Sequence, residues 1–270
     1  MDRALDWNRI DTYAKQWIKE AGDRIQQSFS SQLMIQTKSS PDDLVTNMDH
    51  EIEQYFIKNI TEIFPDHRIL GEEGLGNNVQ SLEGIVWIID PIDGTMNFVH
   101  QQRNFAISIG IYENGIGMIG LIYDVVSGDL YHAQKGQGAF LNQVSLPKLK
   151  DVKLEEAIIG INATWVTENK RIDSWKLAPL IKRVRGTRSY GSAAIELAYV
   201  ASGKLDAYIT MRLSPWDFAA GLVLIEEVGG TVSTIEGSPL KLLEQNSVFA
   251  SNVSFHKKIV ETYIVGKTES

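Results

Sequence analysis

The feature that most constrains this chain is an apolar run that ends in acidic residues. Residues Ile85 to Ile89 (IVWII) predict a β-strand buried on both faces, and Asp90 and Asp93 follow it directly, ahead of a Gly-Thr pair. Carboxylates at the end of a buried strand lose much hydration free energy unless something positive meets them. Either a cation therefore lies at this strand end, or the strand assignment is wrong.

Turn chemistry offers a second explanation for the same residues, because Asp90-Pro91 and Asp93-Gly94 are both common turn dipeptides.

In the strand interpretation, Pro91 stops the hydrogen-bond ladder, Asp93 returns to the side of Asp90, and a short helix begins at Gly94 and Thr95. The free N–H groups of that helix start suit a phosphate oxygen. Two bare carboxylates about 4 Å apart repel by about 4 kcal/mol at an effective dielectric constant near 20, so this arrangement requires cations.

Composition excludes several functional classes. The formal net charge of −8 argues against nonspecific binding to nucleic acid or to an anionic membrane. With no cysteine among 270 residues, disulfides, Cys-ligated zinc, iron–sulfur clusters and a thiol nucleophile are excluded. No apolar run is long enough to span a bilayer and no signal sequence is evident, so we expect a cytoplasmic protein.

Hydrophobic periodicity predicts two kinds of organisation along the chain. The first half reads as α+β, with two amphipathic helices and then an antiparallel meander whose turns lie at Asn114-Gly115 and Ser127-Gly128. The second half alternates strands and helices as an α/β unit. We therefore expect subdomains 1–150 and 151–270, packed as one compact unit. The predicted helices cover residues 5–29, 47–63, 175–184, 193–201 and 217–228.

Two segments carry a resemblance to a known family. Trp87 to His100 (WIIDPIDGTMNFVH) resembles the first signature of the inositol monophosphatase family, which comprises magnesium-dependent, lithium-sensitive phosphomonoesterases, and Trp216 to Gly230 (WDFAAGLVLIEEVGG) resembles the second. The likeness extends to KSSPDDLVTNMD, GEE and RSYGSAA, and so covers nearly the whole chain. It implies the layered αβαβα fold of the inositol monophosphatase and fructose-1,6-bisphosphatase type, and a homodimer.

The resemblance also implies a metal centre. It holds two to three Mg²⁺, with Mn²⁺ as a substitute and Li⁺ as an inhibitor, and oxygen ligands without His or Cys suit such a hard cation. Alternatives exist for single residues, since Asp217 also fits a simple helix N-terminal charge and Glu72 an exposed loop acid. The implied ligands are Glu72, Asp90, the backbone carbonyl of Ile92, Asp93 and Asp217.

Catalytic roles follow from the resemblance as well. Thr95 and Asp49 match the pair that orients the attacking water and receives its proton, with Glu72 beside them. Thr46 and Asp49 also fit a helix capping box, so Asp49 has a purely structural alternative. Lys38 and Glu73 match a mobile loop that approaches a third, weaker magnesium, against the alternative of exposed loop charges.

Substrate choice is the least constrained inference. Relatives that act on inositol phosphate carry a glutamate seven residues before the second-signature aspartate, whereas this chain has Thr210 there, with Arg212 nearby. We expect inositol monophosphate as substrate; the alternatives are NADP(H), a nucleotide bisphosphate or fructose 1,6-bisphosphate. The implied substrate-binding residues are Asp93, Gly94, Thr95, Gly191, Ser192, Ala193, Thr210 and Asp217.

Two further hypotheses compete with this one. The segment GIGMIG, Gly115 to Gly120, matches a dinucleotide-binding fingerprint, but strand-like alternation continues after it, so hairpin glycines are favoured. A non-catalytic, metal-dependent regulatory protein would keep the fold without the chemistry. The full set of acids, together with Thr95, counts against that alternative.

Overall fold

The computed structural model describes residues 6–30, 34–37 and 44–266. Lys38 lies outside these residues. The helices are α1 (Trp7–Ser28), α2 (Asn47–Ile63), α3 (Thr95–Gln101), α4 (Ser174–Arg183), α5 (Ala193–Ala201), α6 (Pro215–Glu227) and α7 (Val253–Ile259). The strands are β1 (Ile35–Thr37), β2 (Leu44–Thr46), β3 (Arg68–Gly71), β4 (Ile85–Asp93), β5 (Ala106–Glu113), β6 (Ile116–Asp124), β7 (Asp129–Gln134), β8 (Gly138–Leu141), β9 (Val144–Ser145), β10 (Ile158–Ile161), β11 (Gly186–Arg188), β12 (Ala207–Leu213), β13 (Gly230–Ser233) and β14 (Asn246–Asn252).

The larger sheet has seven strands in sequence order from β3 to β9. β3 and β4 are parallel, and the later neighbours pair antiparallel, so the predicted meander is confirmed. The turn between β5 and β6 places Asn114 at φ 50° and Gly115 at φ 81°, the positive values that a tight hairpin turn requires. The GIGMIG segment therefore belongs to a hairpin, as predicted.

The smaller sheet has five strands in the order β11-β10-β12-β14-β13. β10 lies parallel to both β11 and β12, whereas β14 runs antiparallel to its neighbours β12 and β13. The helices α4 and α5 connect its parallel strands, which matches the strand–helix alternation expected for the second half of the chain.

Three buried clusters hold five layers together. α1 and α2 cover one face of the larger sheet, and Trp17, Phe56 and Trp87 contribute to that cluster. α5 and α6 fill the space between the two sheets. α4 and α7 cover the outer face of the smaller sheet. The order is helix, sheet, helix, sheet, helix, so the predicted αβαβα architecture is confirmed; the division into subdomains at residue 150 stays a prediction.

The middle helix α6 lies unusually close to the larger sheet. A Cβ added to Gly110 would lie 2.8 Å from the Cβ of Ala219, and one added to Gly117 would lie 2.7 Å from Val223 Cγ2. A Cβ added to Gly120 would come closer still to the carbonyl oxygen of Ala220. Since real Cβ atoms do not approach so near, these glycines allow the backbone of α6 to rest on the strands.

One sequence-based detail was wrong. Pro91 does not end the strand, because β4 continues to Asp93, and every one of its nine residues is buried. The pairing with β5 passes from Asp90 opposite Ser108 to Asp93 opposite Ala106, with a register shift between them. This irregularity absorbs Pro91, which has no N–H to give to a ladder, and carries the strand beyond it.

The N-terminal elements agree with the periodicity. α1 buries the predicted apolar face, and α2 starts after Thr46 as expected. β1 and β2 pair antiparallel, and residues 38–43 between them, which include Lys38 of the expected mobile loop, are outside the described part of the chain. Among the helices of the described residues, none has the length and apolarity that crossing a membrane demands.

Candidate active site

Three aspartates from distant segments meet at the end of β4. Each of Asp90, Asp93 and Asp217 offers one carboxylate oxygen, and these oxygens all lie within 4.8 Å of one another. Asp90 and Asp93 lie at the C-terminal end of β4, and they are only 1% and 7% exposed. Asp217 comes from the first turn of α6. The fold thus concentrates negative charge where little water reaches it.

The electrostatics of this cluster favour a positive ion. Burial, followed by repulsion from Glu72, Asp93 and Asp217, raises the pKa of Asp90 well above its ordinary value. Burial and the charge of Asp93 likewise raise the pKa of Asp217, and burial raises that of Asp93 to about 6. These acids destabilise one another without a counter-charge. A donor set made only of oxygens fits Mg²⁺, and a bound cation would reverse the repulsion.

Glu72 joins the cluster from the loop after β3. Its backbone N–H donates to the carbonyl oxygen of Ile89 at 3.2 Å, which fixes the loop alongside β4. Its side chain interacts with Asp90 strongly enough to raise the pKa of that residue, through both charge and a hydrogen bond. The predicted ligand Glu72 therefore lies beside the three aspartates. The carbonyl oxygen of Ile92, the predicted backbone ligand, accepts from Thr95 Oγ1 at 3.0 Å.

Thr95 and Asp49 lie together although 46 residues separate them. Thr95 Oγ1 is 3.3 Å from Asp49 Oδ1, while Asp49 Oδ2 accepts from the backbone N–H and the hydroxyl of Thr46, at 2.7 and 2.6 Å. The two oxygens of Asp49 are thus divided between two tasks. One completes the capping box of α2, so the structural alternative for Asp49 is confirmed, and the other faces Thr95; the catalytic role of Asp49 stays a prediction.

Asp217 also has two roles. Its Oδ2 accepts from the backbone N–H of Ser214 at 2.7 Å, which completes a capping box at the start of α6. This bond orients the carboxylate toward the end of β4. The alternative of a helix N-terminal charge is therefore correct as local structure, and the capping bond also holds Asp217 in the acidic cluster.

The segment before α5 connects the cluster to the rest of the cleft. Ser192 Oγ and the N–H of Ala194 both donate to Asp93 Oδ2, the latter at 2.8 Å. Asn97 Nδ2 donates to the carbonyl of Tyr190 at 2.7 Å, and Glu196 Oε1 accepts from the N–H of Tyr190 at 2.9 Å. These bonds hold the segment against β4 and α3.

A cleft of about 620 Å³ opens next to the acids. It contains six of the eight predicted substrate-binding residues, the exceptions being Gly94 and Thr95, together with Arg212, an exposed cation. Gly94 adopts φ 93°, and an added Cβ would lie 3.2 Å from the carbonyl oxygen of Gly191. Gly94 thus allows the β4–α3 turn to approach the opposite wall. The six residues that line the cleft are Asp93, Gly191, Ser192, Ala193, Thr210 and Asp217.

Sequence reasoning missed three polar residues that shape this site: Glu53, Asn97 and Glu196. All three are buried. The signal for the glutamates was present, since Glu53 lies within the apolar stripe of α2 and Glu196 is the one charge in the apolar helix α5. The site's outer residues include Glu73, whose Oε2 lies 3.8 Å from His50 Nε2.

Comparison with known proteins agrees with this geometry. The model of the inositol monophosphatase family matches residues 6–265. An inositol-1-monophosphatase of Bacillus subtilis is 67% identical over 259 residues, which cover 96% of this chain and 98% of that one. The crystal structure of 2'AMP-bound SaIMPase-II, the staphylococcal protein, superposes with a TM-score of 0.88 at 43% identity, over 95% of each chain. An IMPase/NADP phosphatase complexed with Mg²⁺ and phosphate gives a TM-score of 0.87 at 30% identity, also over 95% of each.

Proposed function

Because the chain belongs to the inositol monophosphatase family, we propose that it hydrolyses inositol monophosphate, as a Mg²⁺-dependent phosphoric monoester hydrolase, at the end of β4. The observation that carries this proposal is the cluster of the buried Asp90 and Asp93 with the half-buried Asp217, beside an open cleft. The acids of this cluster repel one another, and a bound cation, which in turn can bind a phosphate ester, offsets that repulsion.

The proposed cation ligands are Glu72, Asp90, Asp93, Asp217 and the carbonyl oxygen of Ile92. Bound Mg²⁺ would supply Lewis-acid stabilisation of the phosphoryl oxygens and lower the pKa of a water. The mutual repulsion among the acids supports more than one positive charge, in line with the two to three ions expected for the family. Lys38 and Glu73 are proposed to act at the third, weaker ion.

Thr95 and Asp49 are proposed to position the attacking water and take its proton. The distance of 3.3 Å between Thr95 Oγ1 and Asp49 Oδ1 supports a hydrogen-bonded relay. Burial raises the pKa of Asp49 to about 6, so the group is a better proton acceptor than an exposed aspartate and is still ionised at neutral pH. Water attacks directly in this scheme, without a covalent phosphoenzyme.

The substrate's polyol portion is proposed to lie in the cleft of about 620 Å³. Asp93 and Asp217 would accept hydrogen bonds from ring hydroxyls, and Gly191, Ser192 and Ala193 form the adjoining wall. The N–H groups of Gly94 and Thr95 are proposed to contact the phosphate.

A second candidate substrate class is favoured by one side of the cleft. Thr210 is neutral and short at the position where polyol-specific relatives have a glutamate, and the exposed Arg212 adds a positive charge beside it. That wall suits a larger or more anionic leaving group, such as a nucleotide, NADP or fructose 1,6-bisphosphate. One related structure holds 2'AMP and another is that of an IMPase/NADP phosphatase, which supports testing the same esters here.

The substrate experiment measures kcat/KM for inositol 1-phosphate, 2'-AMP, NADP and fructose 1,6-bisphosphate. Thr210→Glu should raise the preference for inositol 1-phosphate over the nucleotides, with Thr210→Gln as the uncharged control. If Thr210→Glu leaves the ratio unchanged, this residue does not select the leaving group.

Activity itself is tested by phosphate release with and without Mg²⁺. Metal-dependent release supports the hydrolase, whereas no release from any ester of the panel would favour the non-catalytic regulatory alternative. We also propose that Mn²⁺ substitutes for Mg²⁺, that Li⁺ inhibits, and that the chain forms a homodimer in the cytoplasm. Titration with each ion and light scattering test these points.

A further inference from the structure

Glu53 is a fully buried carboxylate outside the proposed ligand set. It lies on α2, and its side chain is 0% exposed. Its Oε2 accepts from the N–H of Glu73 at 2.7 Å, and its Oε1 accepts from the N–H of Leu75 at 2.8 Å. Both donors belong to the loop that follows β3, so one side chain binds two backbone groups of the loop that carries Glu72.

The loop rests directly on this carboxylate. A Cβ added to Gly71, where β3 ends, would lie 2.6 Å from Glu53 Oε1, closer than real Cβ atoms come to any neighbour. Gly74, at φ 71°, then turns the chain between the two N–H groups that Glu53 holds. The path of residues 71–75 is therefore shaped around Glu53.

A buried carboxylate at this place costs folding free energy. The side chain is 0% exposed, so its charge has lost its hydration, and the two backbone N–H groups of the loop replace only part of it. An apolar side chain would avoid that desolvation cost, so stability alone does not explain an acid here. The geometry of the loop offers an explanation, because two parallel acceptor oxygens match two backbone donors.

We propose that Glu53 is a positioning residue, which holds residues 71–75 in the bend that presents Glu72, and with it Glu73, to the bound cations. This inference rests on the proposed function, since it assigns a purpose to the loop at that site. Carboxylates that hydrogen-bond around a metal site commonly control metal affinity without touching the ion.

The same helix also carries the proposed proton acceptor. Asp49 and Glu53 are four residues apart, so both side chains project from one face of α2. One turn of helix thus fixes the relay to Thr95 and the bend that carries Glu72. A small rotation of α2 would move both groups together.

The test compares Glu53→Gln with Ile52→Val. Glutamine keeps the volume and one acceptor, but its NH₂ group faces a backbone donor, so one of the two loop bonds is lost. Ile52 is buried on the same helix and its side chain makes no hydrogen bond to the loop. Ile52→Val is therefore a control that lowers stability modestly without changing the loop's hydrogen bonds. Where Glu53→Gln fails to fold, Glu53→Asp, which keeps the charge but shortens the reach, replaces it.

We expect Glu53→Gln to raise the Mg²⁺ concentration for half-maximal activity by roughly 10- to 100-fold, with kcat at saturating Mg²⁺ changed only a few-fold. Calorimetry with Mn²⁺ should show the same loss of affinity. In the metal-free protein, hydrogen exchange at the amides of Glu73 and Leu75 should accelerate. Ile52→Val should lower the melting temperature and leave all three measurements unchanged.

The proposal is overturned if Glu53→Gln changes only the melting temperature, as Ile52→Val does, while amide exchange and metal affinity stay as in the wild type. The outcome is separable from that of the proposed function. A wild-type chain that releases no phosphate defeats the function, whereas amide exchange and Mn²⁺ calorimetry still decide whether Glu53 positions the loop.

Discussion

Replacing Asp90 by asparagine should stabilise the metal-free chain while it abolishes the response to metal. Asparagine has nearly the same shape, and its carbonyl oxygen can still accept the N–H of Ile92, a bond that Asp90 Oδ1 makes at 3.0 Å. The substitution therefore removes one charge from the cluster and little else.

The magnitude follows from the spacing of the acids. Two unit charges 4.8 Å apart, the upper limit within this cluster, repel by about 3.5 kcal/mol at an effective dielectric constant of 20. Proton uptake by the cluster relieves part of this repulsion, because the pKa of Asp90 and that of Asp217 are both raised. We expect the free energy of unfolding of metal-free Asp90→Asn to rise by about 1–3 kcal/mol at pH 8, which corresponds to a melting temperature higher by about 2–8 °C.

The assay is thermal unfolding with EDTA and with Mg²⁺. A wild-type chain at a Mg²⁺ concentration about 100 times its dissociation constant should gain about 2.7 kcal/mol, whereas Asp90→Asn should gain little and release little phosphate. Asp206→Asn is the matched control. Asp206 Oδ2 accepts the N–H of Ile158 at 2.7 Å, outside the cluster, so this variant should keep the full response to Mg²⁺.

One result would refute the electrostatic reasoning. If metal-free Asp90→Asn were less stable than the wild type and yet gained the same stability from Mg²⁺, the acids would neither repel one another nor hold the ion. The Asp206→Asn control separates this result from a general sensitivity to losing a carboxylate.

Three further predictions concern single side chains. Thr95→Ala should lower kcat by roughly 100-fold or more with Mg²⁺ affinity kept, while Thr95→Ser, which retains the hydroxyl, should recover most of the rate. Ser192→Ala removes a hydrogen bond to Asp93, so KM for inositol 1-phosphate and the Mg²⁺ requirement should both rise by several-fold in steady-state assays. Burial raises the pKa of Glu196 from 4.5 to about 7, so the folded chain holds this proton more tightly than the unfolded chain. Its ionisation therefore removes about 3 kcal/mol of stability as the pH rises from 4.5 to 7 in EDTA, and Glu196→Gln should lack that loss in urea titrations.

Contrary results have distinct meanings. Near-normal turnover of Thr95→Ala would remove this residue from the proposed proton relay. A Ser192→Ala enzyme with unchanged KM and Mg²⁺ requirement would show that the backbone N–H of Ala194 suffices to orient Asp93. If the pH dependence of unfolding were the same for Glu196→Gln and the wild type, the buried carboxyl would titrate normally.

Local patterns predicted most of the framework, because helix and strand periods reflect which face is buried. The amphipathic stripe of α1, the capping box at Thr46 and the hairpin turn at Asn114 are all properties of short segments, and each lies where expected. Pro91 was misjudged for the same reason, since a bulge depends on the partner strand, and the sequence of β4 does not contain its register with β5.

The candidate site shows a similar limit. Its acids were selected through two signatures, but their convergence depends on β4 and α6 meeting across more than 100 residues. Glu53 and Glu196 escaped notice because their partners are backbone N–H groups of loops, which leave no residue pattern to read. A lone charge in an apolar helix face is the signal that points to such residues.

The glycines beneath α6 have a consequence for how this protein can change. Asp217 stands at the start of the helix that Gly110, Gly117 and Gly120 allow to settle on the sheet. Even a single methyl group at one of these glycines would tilt or lift α6. Asp217, in the first turn of α6, would then move away from Asp90. Substitutions at these glycines should therefore lower metal affinity, although none of them belongs to the acidic cluster. Mutant libraries that aim to change substrate preference should leave these three positions unchanged.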